Sequence, residues 1–255
     1  MTPLHPVAAT GFDRAADVYA TSRPGYPDAI VDWMRDRLGI VPGRTVLEIG
    51  AGTGKFTGSL VMTGADILAL EPIVAMLDHL LADFPEVRPL VGQAEAIPLP
   101  DASVDAVVCA TAFHWFATPA VMAEIRRVLK IGGTLGLVWN LRDESVGWVE
   151  RLSVLTNAHQ GAALRERAEA WRDVFPAEGF SALEESEWPY AHQGPVEDVV
   201  VGRTLSTSFI ATLSPAARGD VVAQVRDLIS ATPELQHDPV AFPYLTKGYD
   251  CRRIA

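Results

Sequence analysis

The chain has 255 residues, nearly half apolar and a fifth charged, which suits one large domain, or one with a substantial insertion, and excludes a disordered chain. A net charge of −11 argues against partners that need a basic face, namely a nucleic-acid backbone or an anionic membrane surface, and leaves a small molecule as the default partner. Cys109 and Cys251, far apart and without metal-ligand spacing, suggest neither a disulfide framework nor a metal site; no basic stretch precedes an apolar run at the start, so a cytoplasmic location is expected.

In chain order, Pro27 to Gly39 carries apolar residues at helical spacing (Ile30, Val31, Met34, Leu38) and is broken by Pro42-Gly43. Thr45 to Ile49 is a short strand, followed by the glycine-rich stretch Gly50 to Gly54 and a helix over Phe56 to Met62. Ile67 to Leu70 is a second strand ending at Glu71, Pro72 to Leu81 a second helix in this run, and Val87 to Val91 a third strand. Val104 to Ala110 is a fourth strand, Pro119 to Leu129 a helix, Gly132-Gly133 a turn and Thr134 to Trp139 a fifth strand. This alternation predicts an α/β fold: a Rossmann-like, doubly wound sheet, mostly parallel, whose apolar strands are buried on both faces.

Beyond Asn140 the rhythm changes. Helices are predicted over 143–159, 164–174, 196–205 and 215–229, and strands over 183–190 and 242–251, with Trp188 and Tyr190 on one face. The two strands would form an antiparallel C-terminal edge of the same sheet, with the helices inserted as a cap. The expected organisation is an N-terminal arm and helix (1–40), a core (41–140), and C-terminal strands with a helical cap (141–255), all in one domain because no linker divides them.

Val46-Leu47-Glu48-Ile49-Gly50-Ala51-Gly52-Thr53-Gly54 places its glycines just past the end of a strand, where open α/β sheets bind ligands. A strand, glycine loop and helix alone would suit nicotinamide, flavin or adenosylmethionine. Two details discriminate. The spacing is G-x-G-x-G, unlike the G-x-G-x-x-G that serves a pyrophosphate. Glu48, just before the loop, would repel a pyrophosphate and attract the cationic amino and sulfonium groups of S-adenosylmethionine.

These residues resemble the class I methyltransferase family, in its small-molecule branch, over about Phe12 to Asn140. Glu48 through Gly54 match the signature E-x-G-x-G-T-G, and Glu71 the acid ending the second strand. Further matches are Gly92-Gln93-Ala94-Glu95, the Asp105 to Val108 strand and the Arg126 to Gly133 helix-to-turn step. The segments Phe12-Asp13 through Tyr19, Arg23-Pro24, Tyr26-Pro27 and Phe113-His114-Trp115-Phe116 look like relatives acting on small acids and heterocycles. The resemblance implies methyl transfer from S-adenosylmethionine to a small molecule, on oxygen or nitrogen, without a metal.

On that footing Gly50, Gly52 and Gly54 let the methionine portion lie over the loop, with Glu48 near its amino group. Glu71, about twenty residues on, is placed to accept the ribose hydroxyls. Gln93, Ala94 and Glu95 would edge the adenine, and Pro72 and Met76 pack on it, although Met76 suits the core equally. Arg23 would hold the methionine carboxylate and Tyr19 close over the donor. Thr111, Phe113 and His114 follow the fourth strand near the sulfonium, and His114 titrates where it can take a proton from an attacking hydroxyl or amine; a structural histidine is the plain alternative. Trp139, Asn140, Trp148, Trp171, Trp188, Tyr190, Phe209 and Tyr244 are candidates for an acceptor pocket, most of them expected in the core. A nicotinamide-dependent oxidoreductase and a non-catalytic adenosylmethionine-binding protein are the competing readings.

Overall fold

β1 (Thr45–Ile49) runs parallel to β2 (Asp66–Glu71) on one side and β4 (Val104–Ala110) on the other. β3 (Arg88–Val91) adds outside β2, and β5 (Leu129–Arg142) pairs parallel with β4. With β6 (Glu184–Gly194) and β7 (Val240–Arg252) the sheet has the order β3-β2-β1-β4-β5-β7-β6. The strand order reverses between β1 and β4, which creates a crevice at their C-terminal ends. β7 is antiparallel to β5: Arg253 exchanges bonds with Gly132 and Gly133, and further along Asp143 N–H donates to the Pro243 carbonyl. The expected mostly parallel sheet with an antiparallel C-terminal edge is therefore what forms.

The computed structural model describes residues 23–161 and 170–255, so Tyr19 lies outside the described residues, as does most of the predicted 164–174 helix. The described chain falls into two units. A sheet unit comprises residues 26–140, 170–188 and 246–255, and a helical unit residues 23–25, 141–161 and 189–245.

In the sheet unit, strand side chains alternate between two apolar layers. Leu47, Ile49, Leu68, Leu70, Val107 and Leu135 pack on one face with Val121 and Ile125 of α4 (Pro119–Val128). Val46, Ile67, Ala69, Ala106 and Val108 pack on the other with Ile30 and Met34 of α1 (Ala29–Asp36) and with Leu60 of α2 (Thr57–Val61). Burial on both faces explains why these strands read as continuous apolar runs. Leu77 and Leu80 of α3 (Val74–Asp83) join the second layer. Thr118 caps α4 by accepting the Val121 N–H, with Pro119 at its first position.

The helical unit has its own core. Trp148, Val149 and Leu152 of α5 (Gly147–Asn157) pack with Val199 to Val201, with Val221 and Val225 of the long helix Pro215–Ser230, and with Phe242 and Tyr244 of β7. The predicted 196–205 helix is a π-helical turn, Glu197–Gly202, running into a short α-helical turn, Arg203–Leu205. Trp171–Val174 is a 3-10 turn. The expected turn at Gly132-Gly133 is instead an irregularity within β5, where the β4 register shifts between Val104 and Ala106.

Candidate active site

The glycine loop leaves β1 through three residues in the left-handed region, Gly50 at φ +70°, Gly52 at +57° and Gly54 at +88°. Gly50 N–H donates to the Leu70 carbonyl at 2.8 Å, which ties the bend to the neighbouring strand. A β-carbon on Gly50 would lie 2.8 Å from Ala112 Cβ, so only glycine fits there. Gly52 differs: a β-carbon there would meet nothing within 4 Å, which makes it the open floor of the crevice.

Glu71, at the end of β2, is 6% exposed and binds this loop. Its Oε2 accepts the Gly52 N–H at 3.1 Å, and its Oε1 accepts the Ile73 N–H at 3.2 Å. Burial pushes its carboxyl above the ordinary range, opposed by those two N–H bonds. Glu48 lies beneath the loop, 1% exposed, and accepts the Thr57 hydroxyl at 2.6 Å. Burial, with a further contribution from the Glu71 charge, raises its carboxyl to about 8 even though the Thr57 bond pulls the other way. Two buried acids thus flank the loop, an arrangement that favours a cationic ligand. The Thr53 hydroxyl is buried here without a partner. An unpaired polar atom and an uncluttered glycine floor fit the polar end of an adenosylmethionine.

The residues expected from the sequence to edge the adenine lie around the next two strand ends. Pro72 is half-buried, Met76 is buried, and Gln93 pairs with Ala96 in a tight turn that also holds buried Ala94 and exposed Glu95. Thr111 closes the other side. It is a β-branched residue at φ +55°, its N–H donates to the Val138 carbonyl at 2.7 Å, and its hydroxyl lies 3.2 Å from the Tyr26 hydroxyl. Such a residue resists the left-handed region, so strain is stored at the crevice wall.

Phe113, expected near the sulfonium, has a fully buried side chain that packs edge-on to Phe116 and Trp171 in the core. Its aromatic character suited pocket and core alike, and packing decided for the core. Half-buried His114 accepts the Trp139 indole N–H at Nδ1, at 3.4 Å. In a neutral imidazole that nitrogen is the basic one, so Nε2 carries the hydrogen and His114 is set to donate. Arg23 belongs to the helical unit, where its Nη2 donates to the Ser206 carbonyl at 3.1 Å.

A cavity of about 300 Å³ opens at the opposite, N-terminal ends of the strands, lined by Arg37, Arg44, Asp105 and Lys130. Asp105 pairs there with both Arg44 and Lys130 at 2.9 Å, so the charges are satisfied and the strand ends are the wrong ones for chemistry. Among the described residues no cluster of histidine, cysteine and acidic side chains could hold a metal. Among the same residues no helix is long and apolar enough to cross a membrane.

Comparison with known proteins agrees with this geometry. The methyltransferase-domain family model matches residues 47–137. An uncharacterized methyltransferase of Schizosaccharomyces pombe is 39% identical over 92% of this chain and 94% of its own length. One of Mycobacterium tuberculosis is 38% identical over 92% of each chain. The structure of a putative type II methyltransferase from Anaeromyxobacter dehalogenans shares the fold, with a TM-score of 0.67 at 24% identity over 91% of this chain and 98% of that one. The chain belongs to the class I S-adenosylmethionine-dependent methyltransferases. It is an enzyme of that class.

Sequence reasoning missed Thr53, Thr57 and Tyr26 as parts of the site. Thr57 carried a usable signal: it opens the helix after the loop, where the period-2 direction of Glu48 sends that carboxylate.

Proposed function

We propose that this enzyme O-methylates a carboxylate. The observation that carries this reading is the Trp139 indole N–H on His114 Nδ1, which occupies the nitrogen a general base would use. A phenol or amine nucleophile must lose a proton during transfer, whereas a carboxylate arrives ionised.

In this reading Glu71 accepts the ribose hydroxyls of the donor with the lone pairs its two backbone bonds leave, Glu48 faces the methionine amino group, and Gln93 to Glu95 edge the adenine, with Pro72 and Met76 beside it. Gly50, Gly52 and Gly54 keep the loop clear of β-carbons. When bound, S-adenosylmethionine supplies an electrophilic methyl group on a sulfonium. An ionised carboxylate acceptor would need no residue to take a proton in that transfer. His114 Nε2–H steadies the attacking carboxylate by a hydrogen bond. Alignment of this kind supplies roughly 7–11 kcal/mol. The acidic surface and the small-acid acceptor are consistent with a cytoplasmic enzyme that has no nucleic-acid or membrane partner.

The test is the pH–rate profile of methyl transfer for wild type and for His114→Gln, whose amide keeps a donor. The expected result is no limb near neutrality in wild type, and most of the turnover kept in His114→Gln. A limb near neutrality that His114→Gln abolishes would make His114 the base and assign a protonated nucleophile.

A further inference from the structure

Thr111 stands where glycine is the ordinary residue. The chain takes glycine at all three left-handed positions of the loop after β1, yet just past β4, at φ +55°, it has a β-branched side chain. Among the described residues, Ala102 is the only other non-glycine with a positive φ. Val108 lies opposite Glu48 in the β1–β4 register, and a β-carbon on Gly50 would meet Ala112 Cβ at 2.8 Å. Thr111 therefore sits level with the glycine loop, on the crevice side of the sheet unit.

The Thr111 hydroxyl lies 3.2 Å from the Tyr26 hydroxyl. The Tyr26 ring packs edge-on against Phe56, with 4.9 Å between centroids, at the far end of the same loop. Tyr26 thus bridges the exit of the glycine loop and the end of β4. Whichever oxygen donates in this pair, Thr111 Oγ1 keeps at least one lone pair beyond it. Both residues are half-buried rather than sealed in the core. Backbone strain that persists at a crevice wall points to a side chain the site needs.

We propose that the Thr111 hydroxyl, held by Tyr26, reads the positive charge of the donor's sulfonium and sets how far the site prefers S-adenosylmethionine to its demethylated product. This rests on the donor lying in the β1–β4 crevice. Glu71 stands on the β2 side of the loop and Thr111 on the β4 side. A donor with its ribose at Glu71 and its methionine portion over the loop carries its sulfur toward Thr111. A hydroxyl oxygen attracts a sulfonium and its polarised methyl group, whereas the neutral thioether of adenosylhomocysteine offers nothing comparable. Thr111 is then a specificity-determining residue. Tyr26 is a positioning residue, because it acts by fixing the Thr111 oxygen. Glycine at this position would relieve the backbone but leave no oxygen there.

S-adenosylmethionine and adenosylhomocysteine, each titrated by calorimetry against wild type, Thr111→Gly, Thr111→Ser and Tyr26→Phe, test the pair with no acceptor present. Thr111→Gly and Tyr26→Phe should each weaken the donor roughly 3–30-fold, while adenosylhomocysteine affinity holds within about twofold. Thr111→Ser keeps the oxygen and should keep the wild-type ratio of the two affinities. The losses should not add in the double variant, because one oxygen carries both effects. Thermal melts separate this from a folding defect: Thr111→Gly should melt no lower than wild type, since glycine suits φ +55°, and Tyr26→Phe keeps its ring against Phe56. The proposal is overturned if the donor-to-product affinity ratio stays at its wild-type value in Thr111→Gly or in Tyr26→Phe, or if both ligands weaken in parallel. A wild type that binds neither ligand would sink the crevice as the donor site, and the proposal with it.

Discussion

The backbone N–H of Gly52 donates to Glu71 Oε2 at 3.1 Å, so the open floor of the glycine loop is held by the acid at the end of the adjacent strand. One carboxylate thereby shapes the loop, and the loop cannot be altered without consequences for the acid.

The two glycines at the bend should fail differently. Gly52→Ala has room for its methyl but not the backbone preference, since φ is +57°; it should cost roughly 1–2 kcal/mol and lower adenosylhomocysteine affinity at least tenfold. Gly50→Ala adds a collision with Ala112 Cβ at 2.8 Å to a φ of +70°, and should cost roughly 2–4 kcal/mol. Thermal melts and titrations of both variants check this; a Gly52→Ala protein with wild-type affinity would remove Gly52 from the donor floor.

Glu48 gives the enzyme a pH signature. Its carboxyl titrates near 8 when folded, mainly because it is buried, against an ordinary 4.5. The folded state therefore holds a proton that the unfolded chain releases, and stability falls as pH rises from about 4.5 through about 8. Glu48→Gln should flatten that slope in denaturation measured across the range. An ammonium group beside Glu48 favours the ionised form, so binding of adenosylhomocysteine, which keeps the donor's amino group, should release protons at pH 7, seen as a binding heat that depends on the buffer. Buffer-independent heat in wild type would separate Glu48 from the ligand's amino group.

Much of this site was legible in sequence because it is local. β1 and β4 form over the predicted residues, and the loop acids lie at the ends of adjacent parallel strands, where spacing alone puts them. The antiparallel edge was harder. β6 extends to Gly194 and alternates between exposed and half-buried positions, so its polar residues and Pro189 mask the strand signal, as an outermost strand permits. Phe113 was ambiguous because an aromatic after a strand suits pocket or core, and only the packing of Trp171 and Phe116 decides.

Adenosylhomocysteine titrated by calorimetry against wild type and Glu71→Ala tests most directly whether the donor occupies the β1–β4 crevice. One equivalent should bind per chain, and Glu71→Ala, which loses two backbone bonds and the proposed ribose acceptor, should bind roughly 10–100-fold more weakly. No binding by wild type, or equal affinity in the two proteins, would contradict the account.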